Sequence, residues 1–169
     1  ANHLRPINFQ MLLDNYVDLL PERKQVEGDS LTAVLSQLVR NKIFADGDSI
    51  DLIKTSNIIN LGRFEKDGPI AKAIVYFTIS KLNNLYDNLP KQAVNEKRVE
   101  LRHFTIIDEA HYMLRFENRP LQNLIAVGRN KGMSIILATQ NMDDFKSKGF
   151  DFYANAQYPL IMKQQQQND

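Results

Sequence analysis

The chain has 169 residues, 43% of them hydrophobic and 24% charged, enough for one domain with a real core and at most a small appendage. A net charge of +1 gives no bulk electrostatic case for nucleic-acid or membrane binding, although a ring of subunits can line a pore with a few basic residues each. The absence of cysteine excludes disulfides, thiolate metal sites and cysteine nucleophiles, and suits a reducing, cytoplasmic setting. No apolar run approaches the ~20 residues needed to span a bilayer, and no signal peptide is visible. The start at Ala1-Asn2-His3, without methionine, suggests a tag remnant or a cut from something longer.

The first third reads as a small helical unit, over residues 1–55. Ile7, Met11, Leu12, Tyr16, Leu19 and Leu20 fall near helical spacing across residues 7–20. Pro21 and the charged run Glu22-Arg23-Lys24 then break the pattern. A second helix is capped by Asp29 or Ser30 and carries Leu31, Val34, Leu35, Leu38 and Val39 at i, i+3, i+4, i+7 and i+8. It should end near Phe44, and a third helical piece should cover Ile50 to Lys54. Nothing here looks chemical; His3 is a lone, solvated histidine.

At Ser56 the texture changes. Asn57-Ile58-Ile59-Asn60-Leu61-Gly62 reads as a strand stopped by a glycine turn. Asp67-Gly68-Pro69 starts a helix with proline at its first position. That helix should run to about Asn88, burying Ile70, Ile74, Phe77, Leu82 and Leu85, before Pro90 stops it. The basic stretch from Lys91 to Arg102 reads as an exposed loop or strand lead-in.

Two apolar runs dominate the rest. Phe104-Thr105-Ile106-Ile107 ends in Asp108-Glu109, and Met133-Ser134-Ile135-Ile136-Leu137-Ala138 ends in Thr139-Gln140. A helical segment between them closes on Gly128-Arg129-Asn130-Lys131-Gly132. Two buried strands joined by a helix make a β-α-β unit of a parallel sheet, whose ligands sit beyond the carboxyl ends of the strands. Asp108, Glu109, Thr139 and Gln140 would stand together at that edge. Further on, Asp143-Asp144-Phe145 begins a short helix or turn, and Tyr158 to Lys163 reads as a strand whose Pro159 marks its start or an edge. Gln164 to Gln167 is a low-complexity tail.

An acidic pair at a strand end has a specific use in nucleotide hydrolysis. The first carboxylate, Asp108, holds a hydrated Mg²⁺, and the second, Glu109, orients and deprotonates the attacking water. Thr139 and Gln140 are placed to contact a γ-phosphate or that water, the amide having both a donor and an acceptor to offer. The bland alternative is that carboxylates favour the helix start that follows. Arg129 has two readings as well. It is a cation at a helix end stopped by Gly128 or Gly132, or an arginine finger offered across a subunit boundary. Arg115, Arg119 and Lys131 flank it as surface charges.

Ile106-Ile107-Asp108-Glu109-Ala110-His111 resembles a Walker B motif, and Gly128-Arg129-Asn130-Lys131-Gly132 through Ala138-Thr139-Gln140 is similar to a segment of the HerA/FtsK superfamily. The resemblance covers roughly residues 56–163. It implies an α/β fold: part of a RecA-like P-loop NTPase sheet, parallel and flanked by helices, with the helical subdomain before it. It also implies ATP and Mg²⁺, a hexameric ring and DNA passing through that ring. By motif position Asp108 would serve the metal, Glu109 the water, Arg129 the neighbouring subunit's phosphate and Gln140 the sensor. Within the superfamily the pattern suits a bacterial defence or DNA-processing member, such as the ATPases of phosphorothioate-dependent restriction, with a nuclease or other restriction subunit as partner.

One part is missing. No G-x-x-x-x-G-K-S/T occurs; Lys54-Thr55 is preceded by Ile53, with no glycine at the required spacing. The phosphate loop is therefore expected upstream in a longer protein, and this segment alone should hydrolyse no ATP. Two alternatives remain: a superfamily-2 helicase fragment, since Asp108 to His111 spells a DEAH box, and a degenerate ATPase-like scaffold module.

Overall fold

The computed structural model describes residues 8–43, 50–92, 94–95, 98–147, 150–156 and 158–162. It contains two compact units, Ala1–Thr78 and Ile79–Asp169. The change of texture at Ser56 lies inside the first. No helix among the described residues is long and apolar enough to cross a membrane.

In the first unit, α1 (Phe9–Leu19) starts where the Asn8 side chain accepts the Met11 N–H at 2.9 Å. Pro21 and the charges after it do not simply break the chain. They begin a short second helix, α2 (Glu22–Glu27), because proline's fixed φ suits a helix start, and Gly28 at φ 72° ends it. Of the two candidate caps, Asp29 is the one used for α3 (Ser30–Arg40): one carboxylate oxygen accepts the Thr32 N–H at 2.8 Å. The other accepts the Tyr16 hydroxyl at 2.6 Å, which ties α1 to the start of α3. The helix gives way at Asn41; the expected end near Phe44 lies outside the described residues. Leu35 and Leu38 are buried with Ile70 and Ile74, and Phe9, Leu13, Tyr16, Leu61 and Phe64 pack around them.

Two expectations in this unit fail for one reason: side chains bind nearby backbone before longer-range structure can. Ile50 to Lys54 forms a single turn instead of a helix, because Asp51 accepts the N–H groups of Ile53 and Lys54, both at 3.0 Å. Asn57 to Gly62 is not a strand. The Asn60 side chain accepts the Gly62 N–H at 2.8 Å, Ile58 is 96% exposed, and no described strand pairs with the segment.

Helix α4 (Pro69–Asp87) opens on its proline as expected. Ile70 and Ile74 serve the first unit; Ile79, Leu82 and Tyr86 are buried in the second. Phe77, expected in the core, is exposed and meets the Phe9 ring edge-on at 5.6 Å, while Leu85 is only half-buried.

The second unit continues with a minimal antiparallel pair, β1 (Val94–Asn95) and β2 (Arg98–Val99), inside the expected loop. Then come β3 (His103–Ile107), α5 (His111–Leu114), α6 (Arg119–Val127), a 3₁₀ turn at Gly128–Lys131 and β4 (Met133–Leu137). Asn118 caps α6 by accepting the Leu121 N–H at 3.1 Å. The β-α-β reading holds: β3 and β4 are parallel, with His103 opposite Met133 and Ile107 opposite Leu137. Gly132 at φ 77° makes the entry to β4, and its carbonyl accepts the Arg102 N–H at 2.7 Å. A further 3₁₀ turn, Met142–Phe145, precedes the short antiparallel pair β5 (Lys146–Ser147) and β6 (Phe150–Asp151).

The sheet corrects two further expectations. Its strands are not buried on both sides. His103, Thr105 and Ile107 share the covered face, whereas Phe104, Ile106 and Ile136 are 55%, 68% and 44% exposed on the other. Parallel sheets ordinarily have both faces covered, so the open face is unusual for two such strands. Nor does residue 158 onward add a strand: Tyr158 and Leu160 to Met162 are exposed and without regular structure. Lys163 and the glutamine tail lie outside the described residues.

Candidate functional site

The strand pairing continues past the ends of β3 and β4. Ala138 donates its N–H to the Ile107 carbonyl at 2.9 Å, and Ala110 donates to the Ala138 carbonyl at 2.8 Å. Ala110 is fully buried, so it pins the turn that follows β3 to the turn that follows β4. Between those two anchors Glu109 is forced into the left-handed region at φ 51°. A side chain there costs about 1–2 kcal/mol, and such strain persists only where the surroundings overdetermine it.

The result is a shared rim. Gln140 donates its amide to one Glu109 carboxylate oxygen at 3.0 Å, in an exposed position. Thus the acid and the amide, 31 residues apart in sequence, meet side by side and open to solvent. Asp108 is exposed next to them, and one of its oxygens accepts the Glu109 N–H at 2.9 Å. Thr139 donates its hydroxyl to Asp144 at 2.5 Å, so the 3₁₀ turn after β4 supplies an acid of its own to the edge. Asp143, its neighbour, pairs with Lys146 at 2.6 Å, which holds that lysine's pKa above its ordinary value through the hydrogen bond and the charge.

The donor set suits a hydrated cation better than a caged one. No group of three His, Asp or Glu side chains among the described residues could hold a metal ion by itself. Asp108 has one oxygen occupied by backbone and no other hydrogen bond or ion pair among the described residues. A single carboxylate of this kind fits Mg²⁺, which keeps most of its waters and takes its remaining ligands from phosphate oxygens.

Arg129 is not part of this rim. It is exposed in the 3₁₀ turn that feeds the start of β4, whereas Gln140 follows the end of β4. Five residues of strand separate the two by roughly 16 Å. The turn itself is well fixed, since the Lys131 ammonium binds the Leu89 carbonyl just past α4. Of the two glycines considered as helix stops, Gly132 is the one with positive φ; Gly128 is helical at φ −59°.

Two residues of the site were not singled out from sequence. One is Asp144, visible there only as a turn-forming acid. The other is His111, whose Nδ1 lies 3.2 Å from the second carboxylate oxygen of Glu109. A histidine two residues after a strand-end acid was the available signal, but only the turn through Ala110 brings the ring back against the carboxylate.

No family model matches the chain, and no solved structure matches it. The chain is 33% identical over 104 residues to the DNA import protein CedB of Sulfolobus acidocaldarius. That match takes in 57% of this chain but 16% of the relative, so the chain spans a small part of that protein's length.

Proposed function

We propose that this chain carries the hydrolytic rim of a DNA-translocating ATPase of the HerA/FtsK type, built on part of a RecA-like sheet. The carrying observation is the 3.0 Å hydrogen bond from Gln140 to Glu109 across the ends of two adjacent parallel strands. In this reading Glu109 accepts the proton of the attacking water, and Gln140 orients the carboxylate and senses the terminal phosphate. Asp108 would hold a magnesium ion, whose charge would offset that of the phosphates of ATP. Thr139, tied to Asp144, keeps the second strand end in place beside it. A phosphate-binding loop from another segment completes the site, since no such loop occurs in this sequence.

Arg129 acts in this scheme on a neighbouring subunit's nucleotide. Its distance from the rim of its own chain, roughly a whole strand, suits a finger offered in trans and hence a ring of subunits. Similarity to a DNA import protein supports DNA as the partner.

The test is Mg-ATP hydrolysis by a longer polypeptide that contains this chain together with a phosphate loop. Glu109→Gln should retain nucleotide binding and lose turnover by about 10²–10⁴-fold, the range for removing a positioned base. This chain alone should turn over no ATP. Unimpaired turnover in the Glu109→Gln variant, or Glu109-dependent hydrolysis by the isolated chain, would sink the proposal.

A further inference from the structure

Glu109 Oε2 and His111 Nδ1 are both sealed from solvent, and neither has an aligned hydrogen bond. They nonetheless lie 3.2 Å apart. A buried carboxylate oxygen left without a donor costs several kcal/mol, as does a buried ring N–H left without an acceptor. Neither atom reaches water where it stands, so the favourable arrangement is an Nδ1–H directed at Oε2. The ring is also restrained, because His111 is the first residue of α5, packs against Tyr112 at 4.0 Å between centroids, and is 15% exposed.

We propose that His111 is the positioning residue for Glu109. In this arrangement the imidazole Nδ1, 3.2 Å away, turns its N–H toward one carboxylate oxygen while the Gln140 amide binds the other. Gripped from both strand ends on a backbone already fixed at φ 51°, the carboxylate has one orientation to offer an incoming water. This rests on the hydrolytic reading of the rim. It adds that the base is aimed by a histidine from its own turn as well as by the amide of the next strand.

The contact is decided on this chain alone, without nucleotide, by ¹⁵N NMR of the His111 ring above pH 8. A neutral histidine in water favours the Nε2–H form, and its tautomer is set by the bond the other nitrogen makes. The expected result is Nδ1–H in the wild type and reversion to Nε2–H in Glu109→Gly, a substitution the left-handed backbone accommodates. An Nε2–H ring in the wild type, unmoved by Glu109→Gly, overturns the proposal. The role is decided in the longer polypeptide. His111→Phe should lower kcat by about a hundredfold, the scale of a 1 Å misplacement, with KM unchanged. His111→Asn, whose amide N–H stands where Nδ1–H stood, should restore most of it. Equal kcat in wild type and His111→Phe, or a rise in KM alone, overturns the positioning role. A wild type that binds ATP without hydrolysing it refutes the functional reading instead, and the ring-nitrogen result still decides the contact.

Discussion

Gly132 makes the entry to β4, and replacing it should unsettle the whole second unit. A Cβ on Gly132 would sit 2.4 Å from the Glu100 carbonyl oxygen, well inside the 3.0 Å that real Cβ contacts keep. The obstacle is backbone, so it cannot rotate aside, and the Gly132 carbonyl is held by the Arg102 N–H at 2.7 Å. Left-handed φ adds about 1–2 kcal/mol for any L side chain, and forcing atoms into a packed site costs about 1–3 kcal/mol. Gly132→Ala should therefore destabilise by about 2–5 kcal/mol. Gly128→Ala is the control, in the same turn. There φ is −59° and the new Cβ would meet Met133 at 3.5 Å, an ordinary contact. It should be neutral or stabilising by up to about 1 kcal/mol, through the unfolded chain's lost freedom. Urea denaturation followed by far-UV circular dichroism reads both. If Gly132→Ala unfolds at the wild-type midpoint, or Gly128→Ala is equally damaging, the account of this turn is wrong.

Three more outcomes are expected. His103 sits on the covered sheet face against Tyr86, and burial holds its pKa below 6.5. The unfolded chain then takes up the proton first, so stability should fall as pH drops below 6.5 and level off beneath the folded value; His103→Phe should flatten that slope. Asp29 is held down to about 2, first by the Thr32 N–H and then by the Tyr16 hydroxyl. Its contribution should be complete above pH 3.8 and vanish as pH falls through about 2, and identical acid-unfolding curves for wild type and Asp29→Asn would contradict this. Ile106 is 68% exposed on the open sheet face, so Ile106→Thr should change the stability of this chain by less than about 0.5 kcal/mol. A loss of several times that in a urea melt would mean the face is covered.

The elements legible in the sequence are those whose hydrogen bonds close locally. α1 could be read from its apolar spacing, α3 from its cap and periodic apolar face, and α4 from the proline at its start, because a helix satisfies its backbone within itself. The two strands of the β-α-β unit were legible too, since each apolar run ended in polar residues at a matching interval. That was enough to put Asp108, Glu109, Thr139 and Gln140 at one edge.

What the sequence could not decide was which further segments find a partner and how the turns after the paired strands run. Asn57 to Gly62 and Tyr158 to Met162 have strand composition, but a strand exists only where another backbone pairs with it, and none does among the described residues. The positive φ of Glu109 comes from the bonds that pin Ala110 to Ala138, not from any preference of glutamate. His111 reaches the carboxylate through that same turn, and the separation of Arg129 from the rim follows from the parallel course of β4. Residue types and spacing thus determined which chemistry the chain carries; the path of the backbone between paired strands decided which side chains meet.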